Sequence, residues 1–173
     1  MSEVSPAPLS LAGQVALVAG GGGAIGAAVA TAFLSAGAKV VSADREGHPG
    51  PPGTRSVACD LAVAASAAEA IASVEREEGR LDVLVHCAGT TRDALLTKMT
   101  DEAWESVLGT NLGSAFYLLR SAAPVLRKAG AGSVVLVASI NGERGKVGQA
   151  NYAASKAGMI GLARTAAREL GRT

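Results

Sequence analysis

Short unbroken apolar runs alternate along this chain with longer stretches in which apolar residues recur at helical spacing. Gln14 to Ala19 (QVALVA) is a continuous apolar run that stops at glycines, as a buried strand does. From Ala24 to Ala36 the apolar positions take up helical spacing, and Gly37 supplies the stop. Lys39 to Ala43 (KVVSA) is strand-like with Asp44 at its end, and residues 54–59 form the next strand candidate. Between them, His48 to Gly53 (HPGPPG) is a turn-rich loop that cannot be helical. An Ala-rich helix follows over about 62–78, then the strand Leu81 to His86 (LDVLVH). Thr100 caps a helix whose first turn carries Asp101 and Glu102, matching the helix dipole. Helical character runs on to about Lys128, with a bend expected where Pro124 removes a donor. Ser133 to Ala138 (SVVLVA) is a further buried strand, and residues 151–170 form a last helix.

Strands that lack polar alternation and are each followed by a helix predict a parallel sheet covered on both faces. The expected fold is α/β, doubly wound. Residues 1–10 (MSEVSPAPLS) are small, polar and proline-containing and read as a flexible leader. Residues 11–173 read as a single domain, with no internal repeat and no dividing linker.

Composition narrows the classes of function. Hydrophobic residues at 49% and charged residues at 18% exclude a disordered or collagen-like chain. Sixteen basic against fifteen acidic residues give a formal charge of +1, which offers no broad footprint for nucleic acid or an anionic membrane. The uncharged stretch between Glu3 and Lys39 raises a membrane span, but Pro6, Pro8, Gln14 and Gly20 to Gly23 interrupt it. No basic residue precedes its apolar part, as a signal peptide would require. Two cysteines, Cys59 and Cys87, are too few for a disulfide framework, so a reducing, cytoplasmic compartment is expected.

Candidate chemistry begins at Ala19 to Gly26 (AGGGGAIG), where a strand runs into glycines and then opens a helix. Helix-start N–H groups and the dipole meet a pyrophosphate there, and Gly20, Gly22 and Gly23 let the backbone approach it. A plain flexible turn has the same composition; the placement between strand and helix favours dinucleotide binding and a Rossmann-type sheet. Asp44, at the end of the second strand, accepts both ribose hydroxyls of an adenosine and repels a 2′-phosphate, which favours NAD(H). Arg45 follows immediately and would pair with the 2′-phosphate of NADP(H).

Tyr152 and Lys156 lie four apart on the last helix and share a face. An ammonium beside a phenol favours the phenolate and makes the tyrosine a usable acid or base near neutrality. Such a pair alone is also a common surface pair. Ser139 adds to it, because it sits where the apolar run 133–138 ends, at the expected ligand crevice.

At these residues the chain resembles the short-chain dehydrogenase/reductase family, and closely the 3-oxoacyl-[acyl-carrier-protein] reductases within it. The resemblance runs from about Leu11 to Thr173 and is most specific in Thr91 to Trp104 (TRDALLTKMTDEAW) and from Ser139 through Gln149 and Asn151 to Tyr152, Lys156 and Gly158. It implies that Tyr152 protonates a carbonyl oxygen as hydride arrives, and that Lys156 lowers the tyrosine pKa and bonds the nicotinamide ribose. Ser139 would bond the substrate oxygen, and Asn111 would hold the water of a proton relay. Gly20, Ile25 and Gly26 match the cofactor loop, Asp60 and Leu61 an acid-containing pair near the adenine, and Ala88 and Gly89 a turn beside the cofactor. It further implies a homotetramer paired through helices 101–128 and 151–170, where Ala153, Ala157, Gly158 and Gly161 permit close packing against a partner or the sheet.

The chain departs from the family pattern in places. Ala19 and Ala24 stand where the glycine loop usually has Thr and Gly. His86–Cys87–Ala88–Gly89 replaces Asn-Asn-Ala-Gly, losing an amide that ties the sheet; the two cysteines then read as core thiols, His86 as a sheet-end residue, and no metal site is expected. Asp44 to Asp60 is too short and proline-rich for the usual helix, and the glycine loop lacks the basic residue that NADPH-using relatives often carry. Family members continue past the Tyr/Lys helix into further strands, so the domain reads as C-terminally incomplete.

Three functions follow as expectations. The first is NAD(P)H-dependent reduction of a 3-oxoacyl thioester, of acyl carrier protein or CoA, as in fatty acid biosynthesis; Arg127, Lys128, Arg168 and Arg172 are candidates for meeting an acidic carrier. The second is NAD-dependent oxidation of a small secondary alcohol or sugar, and the third an inactive, truncated cofactor-binding or assembly module. None involves nucleic acid or a membrane.

Overall fold

Parallel pairing sets the strand order. The computed structural model describes residues 10–171. In it β1 (Val15–Ala19), β2 (Lys39–Asp44), β3 (Arg55–Ala58), β4 (Val83–His86) and β5 (Ser133–Leu136) form one sheet in the order β3-β2-β1-β4-β5. Every pairing is parallel, and Ala16 of the central strand stands opposite both Val40 and Val83. Around the sheet lie α1 (Ala24–Ser35), α2 (Ala64–Glu78), α3 (Asp101–Leu108), α4 (Ser114–Lys128), α5 (Asn141–Arg144) and α6 (Ala150–Leu170). The doubly wound α/β architecture is the expected one. Residues 1–9 of the expected leader, and Arg172, fall outside the described residues.

Strand alternation divides the core in two. Val15, Leu17, Ala19, Val41 and Leu84 face α2 and α4 through Ala67, Ile71, Val74, Leu118 and Ala122. Ala16, Val18, Val40, Val83 and Val85 face the other way, onto Ala30, Val29 and Phe33 of α1. Burying each larger aliphatic side chain contributes roughly 1.5–3 kcal/mol, so β1, buried at all five positions, is the anchor of both layers. At the amino end of the sheet Asp82 accepts the Val15 N–H at 2.8 Å and is clamped by Arg80 through both oxygens. Burial pushes the Asp82 carboxyl up, but the Arg80 guanidinium and the Val15 N–H together outweigh it and hold the group below its ordinary value.

The helix expected from Thr100 to about Lys128 is continuous, with α3 and α4 joined by a π-helical turn, Gly109–Gly113. Thr100 Oγ1 caps α3 by accepting the Ala103 N–H at 3.2 Å, as its position suggested. Pro124 lies inside α4, which continues past it to Lys128. Pro124 is exposed, and the carbonyl it deprives of a donor belongs to exposed Arg120, where water serves instead. Beyond Ser133–Leu136, the outer edge of β5 is unpaired among the described residues, and Val135 there is 48% exposed. Beside that edge a groove of about 550 Å³ opens between the carboxyl-terminal halves of α4 and α6, lined by Leu119, Leu126, Val134 and Leu136 among others.

Candidate active site

The strand order reverses between β1 and β4, and a crevice forms outside their carboxyl ends. Two loops meet there so closely that side chains are excluded. Gly20 has φ +80°, and a Cβ on it would lie 2.6 Å from the Ala88 nitrogen; one on Gly26 would run into the Gly20 carbonyl. The first helical bond of α1 is donated by Ala27 to Gly23, and no side chain caps the N–H groups before it. Those free donors at a positive helix end form a cradle for a pyrophosphate. Ala24 opens the helix without positive φ and with its methyl exposed, so its departure from glycine distorts nothing.

A cleft of about 440 Å³ extends from this cradle. Of the expected cofactor residues, Gly20, Gly23, Asp44, Arg45, Asp60, Leu61, Ala88 and Gly89 line it. Gly22, Ile25 and Gly26 do not: the Gly22 N–H is turned to Asp44, Ile25 is 58% exposed, and Gly26 is packed beneath the loop. Asp44 Oδ2 accepts the Gly22 N–H at 3.0 Å and Oδ1 the Arg45 N–H at 2.8 Å, which leaves a lone pair on each oxygen for a ribose. The proline-rich loop lies directly on the glycine loop, because a Cβ on Gly22 would be 2.5 Å from the His48 carbonyl oxygen. His48 and Arg92 also line the cleft; residue types alone gave no signal for either.

The remaining candidates, Asn111, Ser139, Tyr152 and Lys156, do not line this cleft; Lys156 and Asn111 pack behind its wall at Gly89 and Thr90. Lys156 is 4% exposed, with Nζ donating to the Val137 carbonyl at 2.7 Å and lying 5.7 Å from the Tyr152 ring centroid. Burial pushes its ammonium below the ordinary lysine value, opposed by the Cys87 thiol. The site of a Cβ on Gly89, in the cleft wall, is 3.6 Å from Nζ. Ser139 follows the end of β5, and its Oγ accepts the Asn141 N–H at 3.2 Å. Asn141 is held in turn by Gln149, and Gln149 by Asp93, at 3.0 and 2.9 Å. Asn111 is fully buried in the π-helical turn; its amide donates to the Thr90 carbonyl and to Ser155 Oγ, and its Oδ1 accepts the Thr90 N–H. The side chain therefore clamps the loop after β4 to α6. Thr90, Asn141 and Ser155 were not singled out from sequence, and Gln149 entered only as part of the family-like stretch; the i, i+4 relation of Asn151 to Ser155 beside the Tyr/Lys pair is the one local signal of a shared face.

Two expectations need correction. Cys59 is a core thiol, buried and accepting from Ser66, but Cys87 is half-buried and forms part of the cleft wall. Burial raises both thiols above their ordinary value. His86 is the sheet-end residue expected, fully buried and bonded to Ser114. Arg127, Lys128 and Arg168 lie at the carboxyl ends of α4 and α6, the end of the sheet opposite the cleft; Lys128 pairs with Glu75 at 2.8 Å and Arg127 bonds the Glu169 carbonyl. On α6, Gly158 packs on Leu112 of the π-helical turn, whereas nothing approaches Gly161.

Comparison with known proteins agrees with this geometry. The family model described as short chain dehydrogenase matches residues 14–173. The chain belongs to the short chain dehydrogenase family. The family is one of oxidoreductases that use a nicotinamide cofactor, and the N–H cradle at the start of α1 fits such a group. Among curated relatives, the chain is 40% identical over 163 residues to an acetoacetyl-CoA reductase of Rhizobium meliloti, covering 90% of this chain and 67% of the relative. It is 40% identical over 156 residues to the 3-oxoacyl-[acyl-carrier-protein] reductase MabA of Mycobacterium tuberculosis (90% and 63%). It is 36% identical over 170 residues to the corresponding reductase FabG of Salmonella typhimurium (94% and 69%). The chain thus spans about two thirds of the length of these short chain dehydrogenases. No helix among the described residues is long and apolar enough to cross a membrane.

Proposed function

We propose that this chain carries the cofactor and proton-transfer half of a reductase that converts a 3-oxoacyl thioester, of CoA or an acyl carrier protein, to its 3-hydroxyacyl form. The observation that carries this reading is the buried Lys156 behind the cleft wall at Gly89, with Tyr152 on the same face of α6 and Ser139 just past the end of β5. The names of the relatives supply the substrate class. When bound in the cleft, the nicotinamide supplies the hydride. Tyr152 gives its phenolic proton to the substrate oxygen that gains charge, and Ser139 Oγ donates a hydrogen bond to the same oxygen. Lys156, on the same face of α6 beside the Tyr152 ring, would bond the nicotinamide ribose. Asn111 would hold the relay water with what its clamp leaves free on the side chain, a lone pair on Oδ1. NADH is the preferred donor, on the evidence of Asp44; Arg45 at the cleft wall is the group NADPH would use.

The working protein is a cytoplasmic homotetramer paired through helices 101–128 and 151–170, supported by the exposed Trp104 and Phe116 on α3 and α4. Tyr152→Phe tests the chemistry: turnover of acetoacetyl thioester is lost while nicotinamide fluorescence still reports saturable binding. Normal turnover by that variant overturns the assignment. An NAD-dependent alcohol dehydrogenase is the second reading, favoured by Asp44, and faster turnover of simple alcohols than of the thioester would select it.

A further inference from the structure

His86 stands at the end of β4, fully buried, one residue before the cleft wall. Its Nε2 lies 2.6 Å from Ser114 Oγ, while its Nδ1 is buried with no partner among the described residues. The Ser114 hydroxyl has a single proton, and the Thr110 carbonyl at 2.5 Å takes it. Nε2 must then be the donor to Ser114, and Nδ1 the bare nitrogen. The opposite tautomer would bury an unpaired N–H and leave Nε2 facing an oxygen with no proton to give.

The Thr110 carbonyl needs that proton because of the π-helical turn. In an α-helix it would accept the N–H of Ser114, four residues on; here that N–H goes to Gly109 instead. The Ser114 hydroxyl replaces the missing main-chain donor, and also lies 3.3 Å from the Asn111 carbonyl. The same turn carries the Asn111 side chain inward to Thr90 and Ser155, so what stabilises the turn aims the clamp.

We propose that His86 is a positioning residue: as an Nε2–H donor it holds the Ser114 hydroxyl on Thr110, keeps the π-helical turn 109–113 in place, and so sets Asn111 between the loop after β4 and α6. This rests on the reductase reading only for its catalytic consequence. The tautomer is itself supported by the charge of its surroundings. Burial, and then the Lys156 ammonium, push the imidazole down to about 4, so it is neutral at working pH and has one N–H to place.

The test uses the full chain and three variants: His86→Leu without a donor, His86→Gln with an amide N–H at similar reach, and Ser114→Ala. Imidazole nitrogen spectra of the wild type are expected to show the Nε2–H tautomer. In His86→Leu the Thr90 amide, which donates to Asn111, exchanges its hydrogen about tenfold faster, the loss of about one buried hydrogen bond, while the Val15 amide held by Asp82 is unchanged. The thioester kcat falls by roughly the same factor with KM little altered, and His86→Gln restores both readouts. Ser114→Ala reproduces the exchange result should the leucine variant fail to fold. An Nδ1–H tautomer, unchanged Thr90 exchange in the variants, or failure of the glutamine to restore it overturns the proposal. Absence of turnover in the wild type would count against the reductase reading alone, because the exchange measurement needs no activity.

Discussion

Lys156 gives its ammonium to the main-chain carbonyl of Val137 at 2.7 Å, one residue past the last residue of β5. The contact ties α6 to the sheet two residues before Ser139, so one side chain serves both the fold and the proposed chemistry. Lys156→Met keeps the methylene packing and removes the donor. We expect turnover to vanish and stability to drop by about 1–3 kcal/mol as the carbonyl loses its partner, read by an enzyme assay and a denaturant titration.

Asp44 joins two loops as well as facing the cleft. Removing it in Asp44→Ala frees the Gly22 N–H and lets the glycine loop relax, so NADH affinity falls by about tenfold or more. NADPH affinity falls less, because the carboxylate no longer repels a 2′-phosphate. Asp44→Asn keeps an oxygen for Gly22 and loses only charge, so it changes the NADH to NADPH ratio with a smaller absolute loss. Fluorescence titration of both variants separates the bracing role from the reading of the ribose.

His86 makes stability depend on pH in a window where most carboxylates are silent. Its folded pKa of about 4 lies below the ordinary 6.5, so the unfolded chain takes up the proton first. Its contribution is present in full above pH 6.5 and is lost as pH falls from there to about 4. The loss is on the order of 3 kcal/mol as an upper bound. Thermal unfolding between pH 7 and 4 is expected to fall steeply for the wild type and more gently for His86→Gln.

Gly20 is the position with least freedom. A methyl there meets the main chain of Ala88 at a backbone angle that side-chain-bearing residues rarely adopt. Gly20→Ala is expected to cost about 1–3 kcal/mol and to abolish dinucleotide binding together, whereas Gly161→Ala, in open space within α6, leaves binding intact and stabilises slightly. Calorimetry with and without cofactor distinguishes the two.

Much of this was legible in the chain itself. The runs at 15–19, 39–44 and 83–86 carry no alternation because both faces of those strands are buried, and glycines mark where β1 gives way to α1. Thr100 announced the start of α3 through its side-chain oxygen. The π-helical turn did not announce itself. Residues 109–113 keep helical spacing, and the extra residue in the turn is stabilised by a serine hydroxyl and a histidine that lies 28 positions away from that serine. Pro124 sits inside α4 on its exposed side, and a missing donor is costly only where water cannot replace it. The Asp93–Gln149–Asn141 chain behind Ser139 was likewise invisible, because its members are brought together by the pairing of Ala94 with Gln149 and not by any local pattern.

The bare outer edge of β5 bears on how this polypeptide behaves in a test tube. A row of main-chain donors and acceptors with an apolar Val135 beside it is a template for any strand that drifts near, including the same strand of another molecule. A lysine at this edge acts as a gatekeeper, so Val135→Lys should lower the concentration-dependent light scattering of the chain while leaving its melting temperature nearly where it was.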